Sequence, residues 1–139
     1  MTMPSAWNNR WEARDVGGAS FAIGTEGTNA ITTSIQLLDT EGRAMQKRCS
    51  LRGYISSDAN GDVIEAVSAT LTITLGTDGV IMLGGAANVV GHHDFQIVSE
   101  SDGDMDLIIT QTSGADTHYI VLILPNGDLV VSPAIVFAA

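Results

Sequence analysis

Regularly spaced turn motifs constrain this chain more than any other feature. Short segments rich in Asp, Asn and Gly separate apolar runs from residue 39 onward: DTEG, SDANGD, GTDG, SDGD, SGAD and PNGD. Asp-Gly and Asn-Gly pairs favour tight hairpins, because Gly lacks a Cβ atom and Asn and Asp tolerate positive φ angles. Turn signals at this spacing, without a sustained helical period, are typical of an antiparallel β-sandwich or small barrel.

The runs between these turns predict the strands of an all-β domain. They lie at residues 30–38, 47–56, 63–75 (interrupted), 79–83, 94–100, 104–111, 117–124 and 128–137. Pro133 has no N–H group to donate, so the last run is expected to be interrupted or peripheral there. A chain of 139 residues corresponds to one domain with a real core. We therefore assign residues 30–139 to the β domain.

Residues 1–29 differ from the rest, because they contain both tryptophans and Gly-rich stretches without a clear period. Trp7, Arg10, Trp11 and Arg14 are spaced to share one face of a short helix. Two helical turns are marginal alone in water, so we expect an extended N-terminal arm that orders by packing against its own domain or a neighbour. Trp and Arg are also the residues that anchor interfaces.

Charge is sorted along the chain. The formal net charge is −10, and residues 53–139 contain no Lys or Arg. Such a surface repels phosphate, so nucleic acid is not an expected partner. Among the basic residues, Arg43, Lys47, Arg48 and Arg52 form a group that either faces an acidic partner or pairs with the protein's own acids.

Targeting and redox signals are absent from the sequence. The N-terminus has no apolar segment of signal-peptide length, and no run reaches the roughly 18 apolar residues of a membrane helix, so no membrane association is expected. Cys49 is the single cysteine, which excludes an internal disulfide. We expect a soluble protein made in a reducing compartment.

The segment SESDGDMDLII, residues 99–109, concentrates four carboxylates before turning apolar. Alternation predicts a hairpin strand with Met105, Leu107 and Ile109 on one face and Asp104 and Asp106 on the other. A loop Ca²⁺ site is the alternative, since hard cations gather carboxylates.

The segment SDANGD, residues 57–62, is a second acidic loop. Asp58, Asn60 and Asp62 match the start of an EF-hand loop, but Gly61 stands too early and Ala69 replaces the final Glu. We interpret it as a turn, with a generic cation site as the alternative. No metal site is assigned from the sequence.

Residues capable of catalysis do not form a recognisable motif. His92 and His93 are adjacent and would face opposite ways on a strand, which leaves His118 and Cys49 as the remaining soft ligands for zinc. There is no nucleophile elbow, P-loop or dinucleotide fingerprint. Cys49 follows Arg48, yet a lone strand cysteine is usually a small buried hydrophobe. We predict that the protein is not an enzyme and uses no cofactor.

Two C-terminal runs are apolar at nearly every position: YIVLIL at residues 119–124 and LVVSPAIVFAA at residues 129–139. A strand that is apolar on both faces must be covered on both faces. We expect either the arm or another subunit to provide that cover.

The order of these motifs resembles a family of small Ig-like β proteins of tailed bacteriophages. The resemblance runs from SIQLLDTEGR through SSDANGD, GTDGV and VSESDGDMDLIITQ to HYIVLILPNGDLVVSPAIVFA, and covers about residues 30–139. It implies an Ig-like fold and a capsid decoration (cement) or head-associated protein. Such a protein would be made in the host cytoplasm and located on the capsid surface of the virion.

The resemblance also implies partners and contact residues. The expected partner is the major capsid protein, and a homo-oligomer, with a trimer favoured, is implied by decoration proteins as a class. The implied capsid-facing residues are those of the arm and the basic group: Trp7, Arg10, Trp11, Arg14, Arg43, Lys47, Arg48 and Arg52. The alternative function is a phage fibre or tail-associated Ig-like module that recognises host-surface glycans, with Ca²⁺ at the acidic loops.

Overall fold

A computed structural model describes residues 15–65, 71–76, 78–82, 94–112 and 114–138 of the chain. Every regular element in these residues is a β-strand. The described residues contain no helix that is long and apolar enough to cross a membrane. The strands are β1 (Val16–Ile23), β2 (Ala30–Asp39), β3 (Ser50–Ser56), β4 (Leu71–Leu75), β5 (Val80–Met82), β6 (Asp94–Val98), β7 (Asp104–Gln111), β8 (Asp116–Ile123), β9 (Leu129–Val131) and β10 (Ile135–Phe137).

The strands form two antiparallel sheets. One has the order β1-β2-β7-β4, and the other has the order β10-β8-β3-β6-β5, with β9 also paired to β8. These orders correspond to the A-B-E-D and G-F-C-C′-C″ sheets of an Ig variable-type sandwich. The chain differs from that type in two respects of connectivity: it enters the D position (β4) directly after the C position (β3), and it then enters the C″ position (β5) before the C′ position (β6). The predicted Ig-like antiparallel β-sandwich is confirmed.

Alternating side chains explain why these segments form strands with one buried face. In β2, the buried residues Ile31, Thr33, Ile35 and Leu37 alternate with Thr32, Ser34 and Gln36, which face outward. In β7, Met105 and Leu107 enter the same core. Successive strand residues point to opposite faces, so this alternation places one face of each sheet in the core. The alternation predicted for residues 104–111 is therefore confirmed, with strand bounds Asp104–Gln111.

The last predicted run divides as its proline requires. β9 ends at Val131, β10 begins at Ile135, and Pro133 lies between them. Both strands pair with β8, so the missing N–H group of Pro133 falls at a break rather than within a ladder. In the predicted run 63–75, β4 accounts for Leu71–Leu75, while residues 66–70 lie outside the described residues.

The predicted arm boundary at residue 29 is wrong. β1 pairs with β2 from Gly18 opposite Leu38 to Ile23 opposite Thr33, so the sandwich already begins at Val16. The segment VGGASFAI has few strong β-forming residues, and its alternation of Ala19, Phe21 and Ile23 is weak beside its glycines. Residues 1–14, including Trp7, Arg10, Trp11 and Arg14, lie outside the described residues.

The outer face of β8 is covered by the chain itself. Val121 is fully buried (0% exposed). It does not belong to the core cluster, because its neighbours Ile120 and Leu122 occupy the core face. A Cβ atom placed on Gly61 would lie 3.2 Å from a methyl carbon of Val121 and 3.3 Å from one of Val131. The expectation that an arm or another subunit covers this face is therefore wrong at Val121, where the loop of residues 57–62 (the cover loop) does so.

Some apolar side chains remain at the surface elsewhere. Val136 and Ile64 are each 59% exposed, and Val63 and Leu129 are 50% and 43% exposed. Val136 lies on the edge strand β10, and Leu129 begins β9. The C-terminal run therefore keeps part of its apolar surface open, although the outer face of β8 is sealed at Val121.

Candidate functional site: an acidic corner and a basic cleft

Three aspartates meet on the outer face of the four-stranded sheet. Carboxylate oxygens of Asp78, Asp104 and Asp106 all lie within 4.8 Å of one another. In the part of the chain that the structure describes, this is the one such group of three or more His, Cys, Asp or Glu residues. We call these three residues the acidic corner.

Strand β7 and the turn after β4 build the acidic corner. Asp104 and Asp106 are two residues apart on β7 and therefore share its outer face. The amide of Asp106 donates to the carbonyl oxygen of Asp78 at 3.0 Å, and the amide of Gly76 donates to the carbonyl oxygen of Asp106 at 3.1 Å. A Cβ atom on Gly76 would lie 2.4 Å from Cβ of Asp106, so the turn approaches this closely because residue 76 is glycine.

The turn between β6 and β7 adds two more acids, Glu100 and Asp102, at the same end of β7. The amide of Glu100 donates to the carbonyl oxygen of Asp104 at 2.9 Å, and the amide of Gly103 donates to that of Glu100 at 3.0 Å. The side chain of Gln36 fixes the turn by donating to the carbonyl oxygen of Asp102 at 2.8 Å. The turn predicted at residues 101–103 is present, but the predicted hairpin is not, because β6 and β7 belong to different sheets and the turn connects the two sheets. The turn concentrates negative charge beside the acidic corner.

This concentration of charge affects Asp78 most clearly. Its pKa is raised above the ordinary value, first by loss of water around the carboxyl group and then by the charges of Asp106, Glu100 and Asp104. Carboxylate oxygens are the ligands that Ca²⁺ takes, and three of them would leave other positions of a six- to eight-coordinate ion to water. The acidic corner can therefore share a proton or hold a hard cation.

Sequence reasoning found two members of the acidic corner and missed the third. Asp78 reads as part of the turn GTDG, more than 20 residues before Asp104. It reaches the corner because β4 pairs with β7, with Leu75 opposite Leu107. Nothing in the local sequence signals that pairing, so no spacing rule could have identified Asp78.

Two of the four predicted basic residues pair with the protein's own acids. The guanidinium of Arg43 contacts Glu41 and lies 3.7 Å from the carboxylate of Asp39. That of Arg52 lies 3.5 Å from Asp94 on the neighbouring strand β6. Both arginine side chains are about two-thirds exposed, so these ion pairs orient the side chains more than they stabilise the fold.

Lys47 and Arg48 occupy a different environment. They line an open surface cleft of about 230 Å³ together with Asp15 and Pro125. Arg48 donates to the carbonyl oxygen of Ser99 at 3.1 Å, and Lys47 forms no ion pair with any described residue. Asp15 continues directly into residues 1–14, so the basic cleft lies where the N-terminal segment joins the sandwich.

His118 is part of a buried polar cluster at the core face of β8. Its Nδ1 atom lies 2.5 Å from a carboxylate oxygen of Glu65, and its Nε2 atom lies 2.9 Å from Oε1 of Gln111. The ring also meets Phe137 edge-on, with 5.9 Å between centroids. These contacts connect the segment after the cover loop to β7 and β8. His92 and His93, considered with His118 as zinc ligands, lie outside the described residues.

Cys49 is placed as a structural residue. It is buried, and burial raises the pKa of its thiol above the ordinary value, with smaller opposing effects from Lys47 and a hydrogen bond with Ser99. Its amide donates to Oγ of Ser99 at 2.9 Å. A thiol with a raised pKa holds its proton at neutral pH, which argues against a nucleophilic role.

Comparisons with known proteins provide no functional assignment. No protein-family model matches the chain, and a search of curated proteins finds no relative. Among solved structures, a chain named BspA_C_WT is similar over 84% of this chain, with 7% identity and a TM-score of 0.33. This chain spans 44% of the length of that one. The fold assignment therefore depends on the strand order described above.

Proposed function

We propose that this chain is a virion structural protein, a capsid decoration protein that binds and stabilises the outer surface of a tailed-phage head. The observation that carries the proposal is the basic cleft. Lys47 and Arg48 are the arginine or lysine residues in the described part of the chain that form no ion pair with a described acid. They lie where the segment containing Trp7, Arg10, Trp11 and Arg14 joins the domain.

Charge gives such a contact its orientation. The chain carries a net charge of −10, so most of its surface is repelled by an acidic partner. The basic cleft is the part of the described surface that such a partner would attract, and complementary charge sets orientation and encounter rate. On this proposal, the cleft and the N-terminal segment face the major capsid protein and the acidic corner faces solvent.

Repetition supplies the stabilisation. A ligand that binds only the assembled state stabilises it by mass action, and the stabilisation increases with the logarithm of the ligand concentration relative to Kd. Each copy would add contacts to the shell, and many copies add their effects even when each contact is weak.

The decisive experiment is co-sedimentation of the purified full chain with phage heads that lack it. Lys47→Glu combined with Arg48→Glu should abolish binding. The matched control is Arg43→Glu with Arg52→Glu, which changes the net charge equally at residues already paired with internal acids. Equal binding by both double variants would contradict the role of the cleft.

A second variant tests the N-terminal segment. Deleting residues 1–14 leaves β1 intact, since that strand begins at Val16. The shortened chain should keep its β-sheet circular dichroism spectrum and fail to coat the heads. Full coating by the shortened chain would overturn the proposed function of this segment.

The acidic corner favours the second candidate, a Ca²⁺-dependent module that recognises host-surface glycans. Calorimetric titration of Ca²⁺ into the full chain separates the two candidates. Saturable binding at micromolar Ca²⁺, lost in Asp104→Asn, would favour the glycan-binding module. Absence of such binding together with head binding through the basic cleft supports the decoration protein.

A further inference from the structure

We infer that Asn60 in the cover loop is a modification site, at which spontaneous deamidation detaches the cover loop from Val121, whereas Asn126 in the turn after β8 is protected. The inference does not depend on the proposed function, since the reaction needs only the chain and water. It is carried by a contrast between two turns that share one backbone geometry and differ in how their asparagine side chains are held.

The sequence contains two Asn-Gly steps, Asn60–Gly61 and Asn126–Gly127, and an aspartate follows each of them. Deamidation begins when the backbone nitrogen of the following residue attacks the asparagine side chain. Glycine hinders this attack least, because it has no Cβ atom and its backbone is free to turn. Both asparagines are exposed, so water reaches both steps. Exposure and local sequence therefore do not distinguish them.

The reaction balances with water as its only co-reactant. The amide nitrogen of Gly61 gives its proton to water and bonds to Cγ of Asn60, which closes a five-membered succinimide ring. The bond from Cγ to Nδ2 breaks, and Nδ2 takes up a proton and leaves as ammonia. Water then adds to one of the two ring carbonyl groups and breaks its bond to the ring nitrogen, which regains a proton. The product is aspartate or, when the main-chain carbonyl group is attacked, isoaspartate.

The attacking amides are held alike in the two turns. The amide of Gly61 donates to the carbonyl oxygen of Asp58 at 2.9 Å, and the amide of Gly127 donates to that of Leu124 at 2.9 Å. Both glycines have a positive φ, 77° at Gly61 and 92° at Gly127. Each amide must therefore give up one hydrogen bond of the same kind before it can attack. The difference between the turns must come from the asparagine side chains.

The side chain of Asn126 is clamped by Asp128. Its Nδ2 atom donates to Oδ2 of Asp128 at 3.1 Å, and its Oδ1 atom accepts from the amide of Asp128 at 2.9 Å. In contrast, the side chain of Asn60 forms no hydrogen bond with the described residues, although its backbone amide donates to Oδ1 of Asp58 at 3.1 Å. Ring closure at Asn126 breaks the clamp, so it should be slower than at Asn60 by on the order of tenfold.

Conversion of Asn60 alters the cover loop where it touches β8. Gly61, the next residue, is buried, and its carbonyl oxygen accepts a hydrogen bond from the hydroxyl group of Tyr54. Because a Cβ atom on Gly61 would lie 3.2 Å from a methyl carbon of Val121, the loop has little room to shift there. Isoaspartate adds a methylene group to the backbone directly before Gly61, and either product adds a negative charge near Asp62. Both changes move the loop away from Val121.

Ageing of the purified full chain at neutral pH tests the site, with peptide mapping by mass spectrometry as the readout. Asn60 should convert on the order of tenfold faster than Asn126. Asp128→Ala removes the acceptor of Nδ2 and should accelerate conversion of Asn126 without changing that of Asn60. Equal rates at the two asparagines of the native chain overturn the inference, as does an unchanged rate at Asn126 in the variant. So does an Asn60 that persists while a synthetic peptide SDANGDV is converted.

Binding of an apolar dye to the aged chain tests the loss of cover. Asn60→Ser is the matched control, because serine cannot form the succinimide and the Asn60 side chain has no hydrogen bond with the described residues to lose. The native chain should bind more dye after ageing, since uncovered apolar surface takes up such dyes, whereas Asn60→Ser should not change. An equal rise in both chains overturns the inference. So does an unchanged signal from a chain whose Asn60 has been converted.

Discussion

The hydroxyl group of Tyr54 donates a hydrogen bond to the carbonyl oxygen of Gly61 at 2.6 Å. Tyr54 lies on the outer face of β3, directly opposite Val121 of β8. The bond therefore holds the cover loop over Val121, which points away from the core and is nevertheless fully buried. Removal of this hydroxyl group should loosen the cover without disturbing the core between the sheets.

Tyr54→Phe should lower the free energy of unfolding by about 1–2 kcal/mol, because a hydrogen bond is lost and the Gly61 carbonyl group loses its donor. Urea unfolding of the full chain measures this. The matched control is Tyr119→Phe, since Tyr119 forms no side-chain hydrogen bond with the described residues and should change little. Equal losses in both variants would contradict the proposed role of the bond.

The same residue predicts an alkaline effect. Burial, and then the charge of Asp62, raise the pKa of Tyr54 above its ordinary value. Above pH 10 the unfolded chain therefore releases this proton before the folded chain does, and stability falls as pH rises. The fall should be smaller in Tyr54→Phe than in the native chain when unfolding is measured between pH 9 and 11. Parallel pH profiles would contradict the assignment.

Asp78→Asn should stabilise the protein at pH 7. The pKa of Asp78 is raised, so the folded state holds its proton more tightly than the unfolded state, and ionisation above that pKa costs stability. The advantage of the variant should disappear below pH 3.8, where the carboxyl group is protonated in both states. It should also shrink in high salt, which screens the acidic corner. An advantage that is independent of pH would show that charge is not its cause.

Asp39→Asn should have the opposite sign. Asp39 accepts hydrogen bonds from the amides of Arg43 and Glu41. Both bonds lower the pKa of Asp39, and the bond from Arg43 has the larger effect. The folded state therefore favours the ionised form, and the stabilisation is present above pH 3.8 and lost as pH falls through the lowered pKa. We expect the variant to be less stable than the native chain at pH 7 and to approach it at pH 2–3. Urea unfolding at both pH values measures the difference, and a constant deficit would contradict the prediction.

His118→Leu should cost about 2–4 kcal/mol, since it leaves Glu65 and Gln111 facing an apolar group in a buried site. A double-mutant cycle with Glu65→Gln isolates the contact between the two residues. We expect a coupling energy of about 1–2 kcal/mol, because residues in one hydrogen-bonded network are not additive. Strict additivity in urea unfolding would mean that the contact contributes nothing.

Local patterns predicted the strands that carry a strong alternation. In β7, Met105, Leu107 and Ile109 alternate with polar or less buried residues, and the predicted bounds match the strand. Pro133 predicted the break between β9 and β10 for a reason that operates within a few residues. In both cases the determining interaction is between neighbours in sequence, so the sequence is sufficient.

The features that were missed depend on distant segments. β1 forms because β2 supplies a template for a weakly β-forming segment, which local propensity does not reveal. Asp78 joins the acidic corner through the pairing of β4 with β7. Val121 is buried by Gly61, which is far away in sequence and packs as a loop rather than as a subunit. Burial by a loop and burial by a partner leave the same apolar signature in a strand.

Strand order has a consequence for synthesis of the chain. β2 lies between β1 and β7, so the four-stranded sheet acquires its second interior strand only after Gln111 has been made. Likewise, β3 can pair with β8 on one side only after β8 has been synthesised. Because the ribosome also shields the most recently added residues, the apolar faces of the first half of the chain stay open through most of translation. Nascent chains should therefore engage cellular holdases until the last strands emerge.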